Sequence, residues 1–166
     1  RELGGSPARL EEWKAFVLLM FAGLRRNEAD KLRWFSVDLS AGTLRIEGHE
    51  DFLPKCESSL GVVELDPEIT AMLREWRSMD EKGGYVLRSD VLVRPDNGWS
   101  HYRAGRAFDA LATWLREKGV TANKPLHELR KETGSVVAQK HGIYAASRFL
   151  RHADIGITSA HYVDKK

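Results

Sequence analysis

Arginine, histidine and tyrosine recur in four short patterns whose side chains suit a phosphate ester. In Gly23-Leu24-Arg25-Arg26-Asn27-Glu28 one helix ends and two arginines precede the start of the next. An arginine held at such a junction offers a phosphate a bidentate fork that lysine cannot supply. In His127-Glu128-Leu129-Arg130 the i, i+3 spacing places imidazole and guanidinium on one helical face, where both can grip one phosphate. The third pattern is Leu150-Arg151-His152, and the fourth is Tyr162, ten positions beyond His152 and beside His161. Each pattern also has a plain reading: surface arginines at a helix end, a solvated histidine with an arginine paired to Glu128 or Glu132, a tyrosine used in packing.

The elements that must carry these residues follow from periodicity and caps. Ser6-Pro7 reads as an N-cap with proline at the first helical position, and Leu10, Trp13, Val17, Met20, Phe21 and Leu24 recur at helical spacing, giving a helix that ends near Gly23. Asn27 is the expected cap of a second short helix carrying Glu28, Leu32 and Trp34. Thr43 to Glu47 alternates like a strand, and Val62 to Leu65 reads as its returning partner. Asp66-Pro67 opens a helix with the stripe Ile69, Met72, Leu73 and Trp76. Asn97-Gly98 marks a turn, Ser100 is the expected cap of a helix lined by Phe108, Leu111, Ala112 and Leu115, and Gly119 stops it. From Pro125 the chain reads as helical, Leu126 to Lys140 and Tyr144 to Leu150 with a break near Gly142, and a last short helix from about Thr158 carries Tyr162. The fold class is mixed, mainly α with a small antiparallel hairpin or sheet.

Composition sets the frame. The 166 residues, 42% hydrophobic and 30% charged, suit one globular domain. The longest apolar run, Ala15 to Ala22, is too short to cross a bilayer as a helix, and a single Cys56 excludes an intrachain disulfide and a multi-cysteine zinc site. The net charge of +2 hides an asymmetry: residues 1–122 hold 18 Lys+Arg against 20 Asp+Glu, and residues 123–166 hold 8 against 4. The basic surplus therefore coincides with the second, third and fourth patterns, although a segment of this charge is often only a solvated face. The histidines show neither an HExxH nor a carboxylate-rich spacing, which gives a metallohydrolase reading little support. Residues 1–166 are expected to be a single soluble domain of a longer protein.

The order Arg, Lys, His-x-x-Arg, His, Tyr, with the arginine in Gly-Leu-Arg-x-x-Glu and the tyrosine near the C-terminus, resembles the tyrosine recombinases of the phage integrase type. The likeness runs from about Ala8 to Tyr162. It implies their DNA breaking-rejoining catalytic fold, with an N-terminal core-binding domain outside this chain. It also implies a catalytic set of Arg25, Lys55, His127, Arg130, His152 and the nucleophile Tyr162, with Glu28 in support. Lys55 is the expected hairpin lysine, eight residues before Val63 in a segment that resembles the family's returning strand. The chain departs from the family pattern at Arg151, which replaces the glycine of Leu-Gly-His, at Glu64, where proline is common, and at Leu60-Gly61, where a basic residue is frequent. Lys124, Lys131, Arg103, Arg106 and Arg151 are expected to hold the DNA backbone.

Chemically, an ordinary phenol with a pKa near ~10 is deprotonated only about once in a thousand at pH 7, a deficit of roughly 4 kcal/mol. Cations converging on one phosphodiester would make it up, with His127 taking the proton and Lys55 protonating the departing 5′ oxygen. No metal, ATP or other cofactor is called for. The implied partner is double-stranded DNA at specific recombination sites, bound by a homo-tetramer of the full-length protein, and the implied setting is the cytoplasm of a bacterium or phage host. The isolated domain is expected to be monomeric and to bind DNA weakly. The competing readings are a catalytically silent DNA-binding relative and a type IB topoisomerase.

Overall fold

In the computed structural model α1 (Leu10–Met20) follows a 3-10 turn at Pro7–Arg9 and runs through the middle of the domain. The structure describes residues 4, 6–54, 60–80, 82–92, 101–152 and 156. Ala15, Val17, Leu18 and Leu19 of α1 are at most 1% exposed, because the helix is covered by α4 (Gly105–Glu117) and α5 (Pro125–His141). Phe16 stacks on Trp13 at 5.6 Å and meets Trp114 of α4 edge-on at 6.1 Å, so aromatic rings fill the α1–α4 seam. A buried aliphatic side chain contributes roughly 1.5–3 kcal/mol relative to an exposed one, which makes this helix the mechanical reference for what its end carries.

Directly after α1 the chain turns at Gly23 into α2 (Arg26–Asp30), then forms β1 (Val37–Asp38), β2 (Thr43–Ile46) and β3 (Gly61–Glu64). The three strands pair antiparallel in the order β1-β2-β3, with Val37 opposite Leu44 and Leu44 opposite Val63. Leu44, Ile46 and Val63 turn inward while Arg45, Val62 and Glu64 face out, the alternation expected of a sheet with one wet face. Helix α3 (Pro67–Met79) follows, capped by Asp66, whose carboxylate accepts the Glu68 N–H at 2.9 Å. Finally α5 and α6 (Ile143–Phe149) pack closely, separated by Gly142 at φ 84°.

Most expected elements are present, with five differences. Ser6-Pro7 opens the 3-10 turn rather than α1, which starts at Leu10 after Arg9, and the Ser6 side chain makes no cap bond. Asn27 does not cap α2; Arg25 holds that position and Glu28, three residues on, accepts its N–H, so the side chain that terminates the helix backbone is the acid rather than the amide. The helix stops at Asp30, leaving Leu32 beyond it and Trp34 in a 3-10 turn. Strand β1 is two residues long, too short to show a period. Helix α4 starts at Gly105 after Ala104 rather than at a Ser100 cap. The expected turn at Asn97-Gly98 and the final helix from Thr158 lie outside the described residues.

Gly23 joins α1 to the first candidate arginine and is required there twice over. Its φ of 59° lies in the left-handed region, and a Cβ would stand 2.7 Å from Cε1 of Phe149 on α6. Gly23→Ala is expected to cost about 1–3 kcal/mol through backbone strain and displacement of that ring. Urea denaturation reads this directly, and a cost below about 0.5 kcal/mol, the scatter of ordinary surface changes, would contradict it.

Candidate active site

The end of α1, the start of α2, the flank of α4 and the N-terminus of α5 enclose a cleft of about 660 Å³. Arg25, Arg26, Arg116, Lys124 and Arg130 line it beside His127 and Asp109, so residues separated by about a hundred positions share one largely basic wall. A depression of similar volume, about 650 Å³, on the outer side of the sheet is lined by Phe35, Val37, Val62 and Arg77 among others and holds none of the candidate residues.

Arg25 reaches the cleft with its side chain 31% exposed, and its position is set by backbone and charge together. Glu28, 3% exposed, accepts the Arg25 N–H at 2.8 Å and Arg25 Nη1 at 2.6 Å. Burial pushes the Glu28 carboxyl up, but the guanidinium charges of Arg151 and Arg25, with the Arg25 N–H, outweigh it and hold the group below the ordinary carboxylate range. The supporting acid is therefore an anion at neutral pH.

Arg130, 3% exposed on α5, donates from Nη1 to the Gly23 carbonyl and from Nη2 to the Leu150 carbonyl. One planar guanidinium thus ties the loop before Arg25 to the turn before His152, a task suited to its rigid fork. His127, one turn earlier on the same helix, is exposed at the cleft. His152 is half-buried in the turn after α6, where its N–H donates to the Ser147 carbonyl at 3.1 Å. It does not line the cleft, but the two carbonyls just before it are held by Arg130 and, at 3.3 Å, by Arg25 Nη2. Lys55 and Tyr162 lie outside the described residues.

The residues expected on the DNA backbone divide. Lys124 lines the cleft and Arg106, 89% exposed at the side chain, leaves α4 toward solvent near Asp90 at 3.8 Å. Lys131 is not among the residues that line the cleft and pairs with Glu128 at 2.8 Å. Two expectations need correction. Arg103 is 5% exposed: Nη1 donates to the Asp30 carbonyl at 2.9 Å, the Leu87 carbonyl takes both Nη atoms at 3.4 Å, and the guanidinium lies 3.6 Å from the Tyr85 ring centre. Burial pulls its pKa down, with the Asp30 charge opposing. It binds the core to itself and does not present its fork to DNA. Arg151 is 7% exposed and donates to Glu28 Oε2 at 2.6 Å, so it too turns inward, because a carboxylate is waiting there.

Arg26 and Arg116 line the cleft without having been expected at the site, and Arg26 is the better placed. Its guanidinium lies 4.0 Å from the Tyr102 ring centre and 4.9 Å from that of Phe108, within cation–π range, and 3.6 Å from the Asp109 carboxylate. Its neighbour Arg25 carried the motif, while the aromatic shelf comes from α4 and the turn before it, far along the chain.

Among the described residues no group of three or more His, Cys, Asp or Glu side chains could hold a metal ion, and no helix is long and apolar enough to cross a membrane. The phage integrase family model matches residues 5–166, and the chain belongs to that family. It is similar in fold to the Tn1549 transposon integrase in complex with circular intermediate DNA, at a TM-score of 0.70 and 16% identity over 99% of this chain and 59% of that one. XerA recombinase gives a TM-score of 0.72 and 16% identity, covering 96% of this chain and 54% of its own. A lambda integrase dimer bound to a COC′ core site gives 0.66 and 13%, covering 98% and 45%. The chain thus spans between 45% and 59% of the length of these three relatives. A search of curated proteins finds no match.

Proposed function

We propose that this domain is the catalytic part of a site-specific DNA recombinase that cuts and rejoins strands through a 3′-phosphotyrosine at Tyr162. The observation that carries the reading is the shared cleft of Arg25, His127 and Arg130, three residues of the motif brought onto one wall by separate elements. The solved relatives include integrases bound to DNA, and the phage integrase family model matches residues 5–166.

In this reading Arg25 places its guanidinium at the non-bridging oxygens, where charge grows in the five-coordinate transition state, and Arg130, which lines the same cleft, adds the N–H bonds it does not spend on the Gly23 and Leu150 carbonyls. His127 takes the phenolic proton, His152 contacts the same phosphate, and Lys55 protonates the leaving 5′ oxygen. The Tyr162 oxygen forms a bond to phosphorus as the bond to the 5′ oxygen breaks, so the ester energy is kept and a second strand's 5′ hydroxyl reverses the step. Lys124, Lys131 and Arg106 serve as backbone contacts, joined by Arg26 on its aromatic shelf. A tetramer on DNA, made by the whole protein, completes the two strand exchanges.

The test uses the full-length protein with end-labelled nicked duplexes from DNA flanking its gene. A covalent protein–DNA adduct on denaturing gels is expected, unaffected by chelator. Binding without an adduct would leave a silent DNA-binding relative. An adduct without strand exchange between two duplexes, together with relaxation of supercoils, would make the protein a topoisomerase.

A further inference from the structure

Arg151 occupies the position where the family resemblance expects glycine, and its backbone keeps a glycine-like conformation, with φ at 50° in the left-handed region. A residue with a Cβ is strained there, and such strain persists where surrounding contacts over-determine it. The contacts are present. Its Nη2 donates to Glu28 Oε2 at 2.6 Å, opposite the oxygen that takes Arg25 Nη1 at 2.6 Å. Its own carbonyl accepts Arg25 Nη2 at 3.3 Å. Its aliphatic stem covers Gly61 at the start of β3, where a Cβ on residue 61 would lie 3.2 Å from Cδ of Arg151.

Resting on the recombinase reading above, we propose that Arg151 is a positioning residue that fixes Arg25 through Glu28 and through its own carbonyl, and is not a contact to DNA. Two consequences follow from the charges. A carboxylate facing Arg25 alone would cancel most of the charge that Arg25 brings to a phosphate; shared with Arg151, Glu28 leaves the three-residue cluster with a net +1. A carboxylate held from both sides also cannot swing, so the Arg25 fork has one orientation before DNA arrives. Because His152 is the next residue, the same clamp sets the entry of the chain into the turn that carries it.

The test compares wild type, Arg151→Gly, Arg151→Met and Arg151→Lys in the full-length protein. Glycine suits the backbone, methionine keeps the stem without charge, and lysine keeps charge but has a single ammonium in place of the fork. A side chain touching a phosphate contributes close to one unit to the slope of log affinity against log salt. Arg151→Met and Arg151→Gly are expected to keep the wild-type slope and bind DNA within about threefold, while single-turnover adduct formation falls by roughly 100-fold, the scale for a misplaced catalytic group. Arg151→Lys, the variant closest to the native charge, is expected to recover part of that loss. A slope reduced by about one, or adduct formation at the wild-type rate in a folded Arg151→Gly protein, would overturn the inference and leave the recombinase reading intact. A wild-type protein that binds DNA without forming an adduct overturns both together.

Discussion

Tyr162→Phe is expected to abolish the covalent adduct, with a loss of at least about a thousandfold in adduct yield, and to leave DNA affinity within a factor of about two. The variant removes the oxygen that would be joined to phosphorus and nothing else of that side chain's volume, so binding through Arg25, Arg26, Lys124 and Arg130 persists. In the proposed reaction the cluster of cations would lower the barrier for a bound phosphate but would supply no bond-forming atom, since a guanidinium is no nucleophile near neutral pH. The measurement is the band of retarded label after denaturation, read beside a filter-binding titration of the same preparation. Adduct at wild-type yield in the phenylalanine variant would move the nucleophile to another residue.

Glu28→Ala is the substitution with the largest expected effect on stability. It removes the partner of two guanidiniums, one of them on Arg151 at 7% exposure, and leaves buried positive charge without its counter-ion. Breaking a buried pair from one side costs about 3–5 kcal/mol, which is a large fraction of the stability of a domain this size. Guanidinium chloride denaturation at pH 7 reads it, and a loss under about 1 kcal/mol would mean that Arg25 and Arg151 find water on their own. The pH dependence has a fixed sign. The folded-state pKa of Glu28 lies below its ordinary value of 4.5, so the unfolded chain binds the proton more readily. The contribution of the pair is complete above that ordinary value and is lost as pH falls toward and through the folded one. Glu28→Gln is therefore expected to flatten the acid limb of the stability curve between those two values.

Part of the candidate site was legible in the chain because its residues come in local clusters. Gly-Leu-Arg-x-x-Glu places an arginine and its carboxylate three positions apart, and the structure joins them as a cap and an ion pair. His127 and Arg130 share a helix, and their spacing alone puts both on one flank. What was not legible concerns partners that meet only in three dimensions. Arg103 looked like a DNA contact because a charged side chain is usually solvated; the Asp30 that buries it is 73 positions away. Arg151 looked like another DNA contact, and its carboxylate lies 123 positions earlier. Arg26 was passed over for the converse reason, since the rings beneath it come from Tyr102 and Phe108. The helices from α1 to α6 were recovered from their apolar stripes, with Asp66 before α3 the cap that held, whereas β1 offered two residues and no period, and α2 took its cap from a side chain three positions inside it.

The two carbonyl bonds of Arg130 bear on how such domains are recombined in the laboratory. Its fork clasps Gly23 and Leu150 at once, and Arg25 and Glu28 clasp the carbonyl and side chain of Arg151 beside it. At its other end α2 is bolted to the start of α4, because Asp30 accepts the N–H groups of Arg103 at 3.0 Å and Ala104 at 2.8 Å. A five-residue helix has no stability of its own, so α2 inherits its register from these three fastenings. Segments 23–30, 103–104, 130 and 150–151 therefore form one heritable module: a chimera that takes the first arginine box from one integrase and the histidine turn from another would exchange half of a lock, while one that moves the four segments together carries the lock whole.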